Sequence, residues 1–509
     1  MITSTLLSPP AAAVARQLRA TLRGTVVAAT DASYDTARQI WNGAVGHRPA
    51  LIARCANDQD VAAAIRAARE HGLPLAVRGG GHDWAGRALC DGGLVLDLSA
   101  MRGVTIDPAT RTAAAQGGAT AGDVAAVAAG YGLAPVTGTV KAVGMTGLTL
   151  AGGYGPLCGR HGLALDNLLG ADVILASGRH VTASDTGDAD LYWALRGGGG
   201  TFGVVPAARY RLHPLPQVLA GLILFPLAQA GAVLRGYAEV AAAAPDELTV
   251  MTGFLNAGGQ MLLFLFPAWS GDPALGQGAI AALQRLGTPV MTQVAPMPYS
   301  GVLGMFDASV VNGRHYALAT RWLPALTDDA AAMLTAAAAD ATSPLSAIAV
   351  HHFHGAAARV PAQDTAFALR HDHLLVEILA AWEPSPRDDG TVHRAWAQDL
   401  SGQLAPSALP GGYPNLLGPG DADRTLLAYS LNAPRLRDLK RRYDPDGVFS
   451  TATGTLPRGP GQLAAYAAAP DAPWTGTAVN CLNLSRSGRC PAPVNRRVMV
   501  PTNAAGPTM

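Results

Sequence analysis

Arg78, Gly79, Gly80, Gly81 and His82 stand in a row after the short apolar run Leu75 to Val77. The run reads as a buried strand that ends at the arginine. Glycine reaches positive φ without steric cost and carries no side chain that would hold a ligand away. Three in succession let several backbone N–H groups converge on one point, as a diphosphate requires. Arg78 would add a fixed positive charge, and His82 would place a nucleophilic imidazole beside whatever the diphosphate carries. The same residues also fit a glycine turn between two strands, with His82 as an ordinary loop histidine.

Three more glycine-dense stretches follow. Gly117 and Gly118 precede a helix that starts at Thr120 or Ala121, and a helix N-terminus offers donors to phosphate oxygens. Thr137, Gly138 and Thr139 lead into Val143 to Gly155, which contains Gly144, Thr146, Gly147, Gly153, Tyr154 and Gly155. Arg196 to Val205 carries four successive glycines and then Gly203 and Val204. Clustering of this kind suggests backbone pressed against a flat or extended ligand. A loop-rich alanine/glycine composition explains only part of it. Later in the chain His351, His352 and His354 share one strand-like run, and alternation puts His352 and His354 on one face. The run has no carboxylate, so no metal is expected there. Arg370, His371 and His373 are secondary candidates.

The rest of the chain must position these groups. Its 509 residues are too many for one core. With 49% apolar and 14% charged residues the chain reads as globular, and a net charge of +1 argues against nucleic acid or an anionic membrane as partner. Met1 to Pro10 lacks a basic segment and a long apolar core, and no run of eighteen apolar residues occurs, so a soluble cytoplasmic protein is expected. Cys55, Cys90, Cys158, Cys481 and Cys490 form no CxxC pair, which argues against structural zinc. Cys481 and Cys490 could close a small loop, but a reducing compartment favours free thiols.

Asp58 to His71 has helical spacing, with Val61, Ala64, Ile65 and Ala68 on one face, and Gly72 ends it. The glycine loop at 79–81 is not followed by a helix, unlike a Rossmann fingerprint. Ala171 to Thr182, with Val173 in its first arm, reads as a hairpin turning at Ser177 and Gly178. After Pro214 the texture changes. Strands are expected at 219–225, 248–255, 261–266, 347–354 and 374–382, and helices at 228–244, 273–286, 328–341 and 392–404. That mixture predicts an antiparallel sheet covered by helices, an α+β arrangement.

Several signatures now stand in one order. They are Arg78-Gly-Gly-Gly-His82, Gly144 to Gly155 with Gly162-Leu-Ala-Leu-Asp-Asn167, Asp190-Leu-Tyr-Trp-Ala-Leu-Arg-Gly-Gly-Gly199, Gly412-Tyr-Pro-Asn415, and Arg435 to Pro445. Together, over roughly Leu22 to Phe449, the chain resembles the berberine bridge enzyme-like flavoproteins of the vanillyl-alcohol oxidase/p-cresol methylhydroxylase (PCMH) superfamily, nearer their bacterial branch than the plant enzymes. The resemblance implies a two-part PCMH-type FAD-binding domain and a substrate domain between its parts. On this chain that gives residues 1–214 for FAD, 215–410 for substrate, 411–455 as the return to the FAD part, and 456–509 as an irregular tail.

The resemblance also implies covalent FAD, bonded from His82 to the flavin 8α-methyl carbon. Some members add a cysteine link, but Gly138 to Val143 contains no cysteine and Cys158 lies well downstream, so one link is expected. The cofactor set expected is Arg78, Gly79, Gly80, Gly81, His82, Asp83, Gly117, Gly118, Thr137, Gly138, Thr139, Gly144, Thr146, Gly147, Gly153, Tyr154, Gly155, Val173, Gly203, Val204 and Asn415. Tyr413 matches the family's catalytic tyrosine, and His352 and His354 are added as acid/base or substrate groups. A tyrosine titrates near ~10, so service as a base requires a cation or strong hydrogen bonds beside it. Relatives often carry serine and tyrosine where Asp83 and Trp84 stand here. The expected activity is oxidation of a small alcohol, sugar or amine with dioxygen as acceptor; the alternatives are a dehydrogenase using another acceptor and a non-catalytic flavin- or ligand-binding protein on the same fold, and a monomer or homodimer without metal is expected.

Overall fold

The computed structural model describes residues 7–451. The expected tail, with Cys481 and Cys490, and the first six residues lie outside them.

The first sheet holds β1 (Thr25–Ala28), β2 (Leu51–Arg54), β3 (Leu75–Arg78) and β4 (Leu94–Asp97), in the order β1-β2-β4-β3. Both β2 and β3 run parallel to β4, so the helix Asp58–Glu70 is the crossover between them. Asn57 caps that helix by accepting from the Asp60 N–H at 3.0 Å. Its apolar face, with Val61, Ala64, Ile65 and Ala68, packs on Leu51, Leu94 and Leu96 beside the helix Pro9–Thr21.

The second sheet contains β5 (Val104–Asp107), β6 (Thr112–Gln116), β7 (Leu133–Pro135), β8 (Leu168–Ile174), β9 (His180–Ala183) and β10 (Val204–Pro214). The hairpin expected at 171–182 is the β8–β9 pair, with Val173 opposite Val181.

The third sheet has seven antiparallel strands: β11 (Val218–Pro226), β12 (Leu248–Ala257), β13 (Gln260–Trp269), β14 (Met291–Met297), β15 (His315–Leu323), β16 (Ala347–Phe353) and β17 (His373–Trp382). Their order is β14-β11-β13-β12-β16-β17-β15. The helices Ala230–Ala242, Asp328–Ala339 and Thr391–Leu404 bury Val233, Leu334 and Leu400 against Val350, Val376 and Ile378 of one face. The other face is left for the site. The fold is therefore α+β, as expected, with β14 and β15 added to the strands legible in the sequence. Met145–Ala151 is a helix where the sequence showed only glycine density. The chain then returns to the first layer. Phe449 joins the core of the β1–β4 sheet, and the Thr451 hydroxyl donates to the Leu75 carbonyl at 3.1 Å.

Candidate active site

A cleft of about 320 Å³ runs between the three sheets. From the glycine runs it takes Gly79, Gly80, Gly81, His82, Asp83, Gly117, Gly138, Thr139, Gly144, Thr146, Gly147, Gly203 and Val204; from the other candidates it takes Tyr154, Tyr413 and Asn415. These positions span more than three hundred residues of chain, and the fold brings them to one wall.

The cradle is built by close backbone approach. A Cβ on Gly80 would stand 2.5 Å from the Gly144 nitrogen, and one on Gly144 would stand 2.6 Å from the Gly80 nitrogen. The N–H groups of Gly79, Gly80 and Gly81 meet no hydrogen-bond partner among the described residues. They are free for an anion, in keeping with a diphosphate cradle.

Arg78 does something else. Its guanidinium is turned away from the cleft and holds Asp97 through two bonds, 3.1 and 2.7 Å, and the carbonyl of Ala37 at 2.7 Å. Asp97 is fully buried, so the arginine neutralises a carboxylate instead of a phosphate. The helix N-terminus after Gly118 is also taken. Thr120 and Asp123 form a capping box on Ala121–Ala129, and the N–H groups of Gly117 and Gly118 donate to Pro206 and Met101.

Gly118, Thr137, Gly153, Gly155 and Val173 do not line the cleft. Their close contacts are with protein. A Cβ on Gly118 would meet the Leu98 carbonyl, on Gly155 that of Thr137, and on Gly153 the Cβ of Ala164. Val173 packs under Gly203, and the Thr137 hydroxyl lies 2.9 Å from that of Tyr299. Glycine clustering thus reports two things that sequence cannot separate, a ligand cradle and tight packing of chain on chain.

His82 opens to the cleft. Its imidazole stacks on Trp41, with ring centroids 4.2 Å apart and planes 12° off parallel. Its Nε2 is shielded from solvent and has no partner among the described residues. Burial lowers its pKa to about 4, so the ring is neutral near pH 7. An orphaned nitrogen on a neutral imidazole beside an anion cradle fits the attachment of a flavin. Cys158 does not share this geometry. Its thiol donates to the His352 carbonyl, and burial pushes it up to about 11.

Tyr413 arrives from the C-terminal return. Its hydroxyl oxygen accepts from the Gly153 N–H at 2.8 Å and from the Asn415 side-chain amide at 2.9 Å. Gly152 lies under the ring at φ +153°, and a Cβ there would come within 2.4 Å of it. Burial raises Tyr413 to about 12, while Asn415 and the Gly153 N–H pull the other way. The Tyr154 hydroxyl lies 2.7 Å from His373 Nε2, and its ring lies 4.8 Å from that of Tyr413.

The histidine assignment changes. His352 and His354 stack on each other at 3.9 Å, as alternation requires, but neither lines the cleft. His352 lines a small neighbouring pocket with Tyr154, Cys158, Thr249 and Met251, and His354 Nε2 lies 3.4 Å from the Thr249 hydroxyl. His351 faces the cleft instead, with its Nε2 3.3 Å from Glu377 of β17. Glu377 was missed. The signal that could have found it is a single carboxylate inside the apolar run 374–382. Of the secondary candidates, Arg370 holds Asp166 at 2.8 and 2.9 Å, and His371 is exposed.

The departures at Asp83 and Trp84 are used structurally. Asp83 pairs with Arg87, whose guanidinium reaches the carbonyls of Pro414 at 3.4 Å and Asn415 at 3.2 Å. The Trp84 indole donates to the Leu416 carbonyl at 3.0 Å. The His82 loop and the Tyr413 loop are therefore tied together.

Comparison with known proteins agrees with this arrangement. Residues 49–184 match the FAD binding domain family, and residues 412–454 match the berberine and berberine-like family. The (R)-6-hydroxynicotine oxidase of Paenarthrobacter nicotinovorans is 44% identical over 203 residues, 40% of this chain and 44% of that enzyme. The crystal structure of 6-hydroxy-D-nicotine oxidase from Arthrobacter nicotinovorans superposes with a TM-score of 0.78 at 30% identity, covering 86% of this chain and 99% of that one. The xylooligosaccharide oxidase of Myceliophthora thermophila follows at 0.77 and 28% identity, covering 88% and 100%. With the cradle, the histidine and the tyrosine in one cleft, and with both family segments in place, the chain belongs to the berberine bridge enzyme-like FAD-linked oxidoreductases.

Proposed function

We propose that this enzyme oxidises a small alcohol, sugar or amine at a C–H bond next to oxygen or nitrogen, with FAD linked through His82 and dioxygen as the final acceptor. The observation that carries the reading is the meeting of the orphaned His82 nitrogen, the free N–H groups of Gly79 to Gly81 and the Tyr413 hydroxyl in one cleft.

FAD supplies the two-electron redox chemistry when bound. The chain's own residues handle the proton and the fit. Tyr413 already accepts two hydrogen bonds, so its own O–H is left to meet a substrate heteroatom. The same two donors would stabilise its phenolate as a proton is drawn off. The His351–Glu377 pair, which lines the same cleft, offers a second acceptor for the substrate O–H or N–H proton. Leu318, Leu375 and Leu416 line the same cleft, which suits a compact substrate with an apolar body and one polar group. Cys55, Cys90 and Cys158 are free thiols, which supports a reducing, cytoplasmic setting. No helix among the described residues is long and apolar enough to cross a membrane.

The test is direct. Purified protein should be yellow, and the colour should stay with the pellet after acid precipitation. The flavin peptide should contain His82. Substrate should bleach the visible spectrum, and air should restore it with release of hydrogen peroxide. Bleaching without peroxide would assign a dehydrogenase. Colourless protein that binds no FAD would end the reading.

A further inference from the structure

Trp41 lies between two rings. One face meets His82 at 4.2 Å, and it also stacks with Tyr316 of β15 at 3.9 Å and 19°. The indole is 7% exposed and the Tyr316 ring 2%. The backbone around it is pinned on both sides. The Trp41 N–H donates to the Gly81 carbonyl, and the Gly313 N–H donates to the Trp41 carbonyl, each at 2.9 Å. Asn42 locks the next residue, with its amide donating to the carbonyls of Trp84 at 2.6 Å and Tyr316 at 3.0 Å, and its oxygen accepting from the Tyr316 N–H at 2.9 Å. The Tyr316 hydroxyl is held in turn by the Val311 carbonyl at 2.7 Å. By contrast, no neighbouring side chain hydrogen-bonds the His82 ring among the described residues, and its Nε2 is unpartnered. Face contact with a fixed indole is what sets the plane of the imidazole.

We propose that Trp41 is the positioning residue for flavin attachment: buttressed by Tyr316, its indole holds His82 in the one orientation from which a ring nitrogen bonds the flavin methyl carbon. This rests on the reading that His82 carries the flavin. In the attachment an imidazole nitrogen bonds the methyl carbon. The C–H proton and the imidazole N–H proton leave, and the electron pair of the broken C–H bond stays on the flavin ring. Dioxygen then takes that pair with two protons as hydrogen peroxide. Bond formation of this kind depends on alignment, and freeing one ring to rotate costs rate without abolishing binding. The non-covalent contacts of FAD with the glycine cradle do not need the indole.

The experiment compares wild type with Trp41→Phe, Trp41→Leu and Tyr316→Leu, purified as full chains. Total flavin is read by absorbance, and the covalent share by intact mass and by flavin fluorescence after denaturation. Trp41→Phe should keep most of the covalent share, because a flat ring remains. Trp41→Leu should still bind FAD while its covalent share falls by roughly tenfold or more, the scale on which orientation acts. Tyr316→Leu should fall between the two. A fully linked Trp41→Leu overturns the inference. If that variant does not fold, a fully linked Tyr316→Leu overturns it instead. Wild type holding FAD without a covalent bond removes the linkage reading and this inference together, whereas full linkage in the variants removes this inference alone.

Discussion

The Asn415 side-chain amide donates to the Tyr413 hydroxyl oxygen at 2.9 Å, two residues away on the same loop. Asn415 also donates to the Leu148 carbonyl at 3.1 Å, which fixes the amide between the glycine-rich helix and the tyrosine. The bond favours the phenolate, so losing it raises the tyrosine further. Asn415→Leu should move the basic limb of the rate of flavin reduction to higher pH. Tyr413→Phe should slow that reduction by about 10²–10⁴-fold with FAD still bound. Stopped-flow bleaching across pH reads both, and an unmoved limb in Asn415→Leu would count against the assignment.

Glu377 acts on Tyr413 in the opposite direction. Its negative charge raises the tyrosine. Glu377→Gln should therefore shift the same limb to lower pH, while its loss as a proton acceptor beside His351 slows the reaction. His352→Phe, away from the cleft, should change the limb little. Equal shifts in the two variants would show that His352 matters to Tyr413 as much as Glu377 does.

The Gly80–Gly144 approach leaves no room for a methyl group. In Gly80→Ala the added carbon meets backbone atoms at 2.5 and 2.6 Å, which cannot move as a side-chain tip can. The expected cost is about 1–3 kcal/mol in urea unfolding, with a drop in the flavin-to-protein ratio on purification. Normal occupancy in that variant would mean that the cradle lies elsewhere.

Removing one partner of a buried ion pair strands the other. Asp97→Leu leaves the Arg78 guanidinium with only the carbonyls of Ala37 and Gln39 among the described residues, at a cost of roughly 3–5 kcal/mol. Chemical denaturation measures it. The loss should appear equally in apo and FAD-loaded protein, because neither side chain faces the cleft.

Acid should weaken the flavin-free protein through its histidines. Burial lowers His82 and His213 to about 4, and His161, His352 and His373 to about 3, from 6.5. The unfolded chain takes up these protons below about 6.5 and the folded one does not until about 3–4. Their contribution is therefore complete above pH 6.5 and is lost as pH falls toward 4. Melting curves from pH 7.5 to 4 should show a falling Tm that begins near 6.5. A Tm constant to pH 5 would mean that these rings protonate in place.

What the sequence by itself determined was the set of local features: the strand before Arg78, the amphipathic helix at 58–71, the hairpin across Ser177 and Gly178, the glycine runs, and the pairing of His352 with His354. All depend on periods of two or 3.6 residues or on backbone freedom, which neighbours in the chain specify. Tertiary structure alone decided which way each feature faces. Alternation joins His352 to His354 but does not say which side of the sheet the helices cover. Packing of 230–242, 328–339 and 391–404 covers Ile348, Val350, Val376 and Ile378, and His351 and Glu377 line the cleft. A glycine's bare Cα invites any close neighbour, so only the fold separates Gly80, which opens to the cleft, from Gly152, which seats Tyr413. Arg78 carries a charge visible in the sequence, yet its partner, nineteen residues away on β4, was fixed by the parallel register that sets Arg78 opposite Asp97.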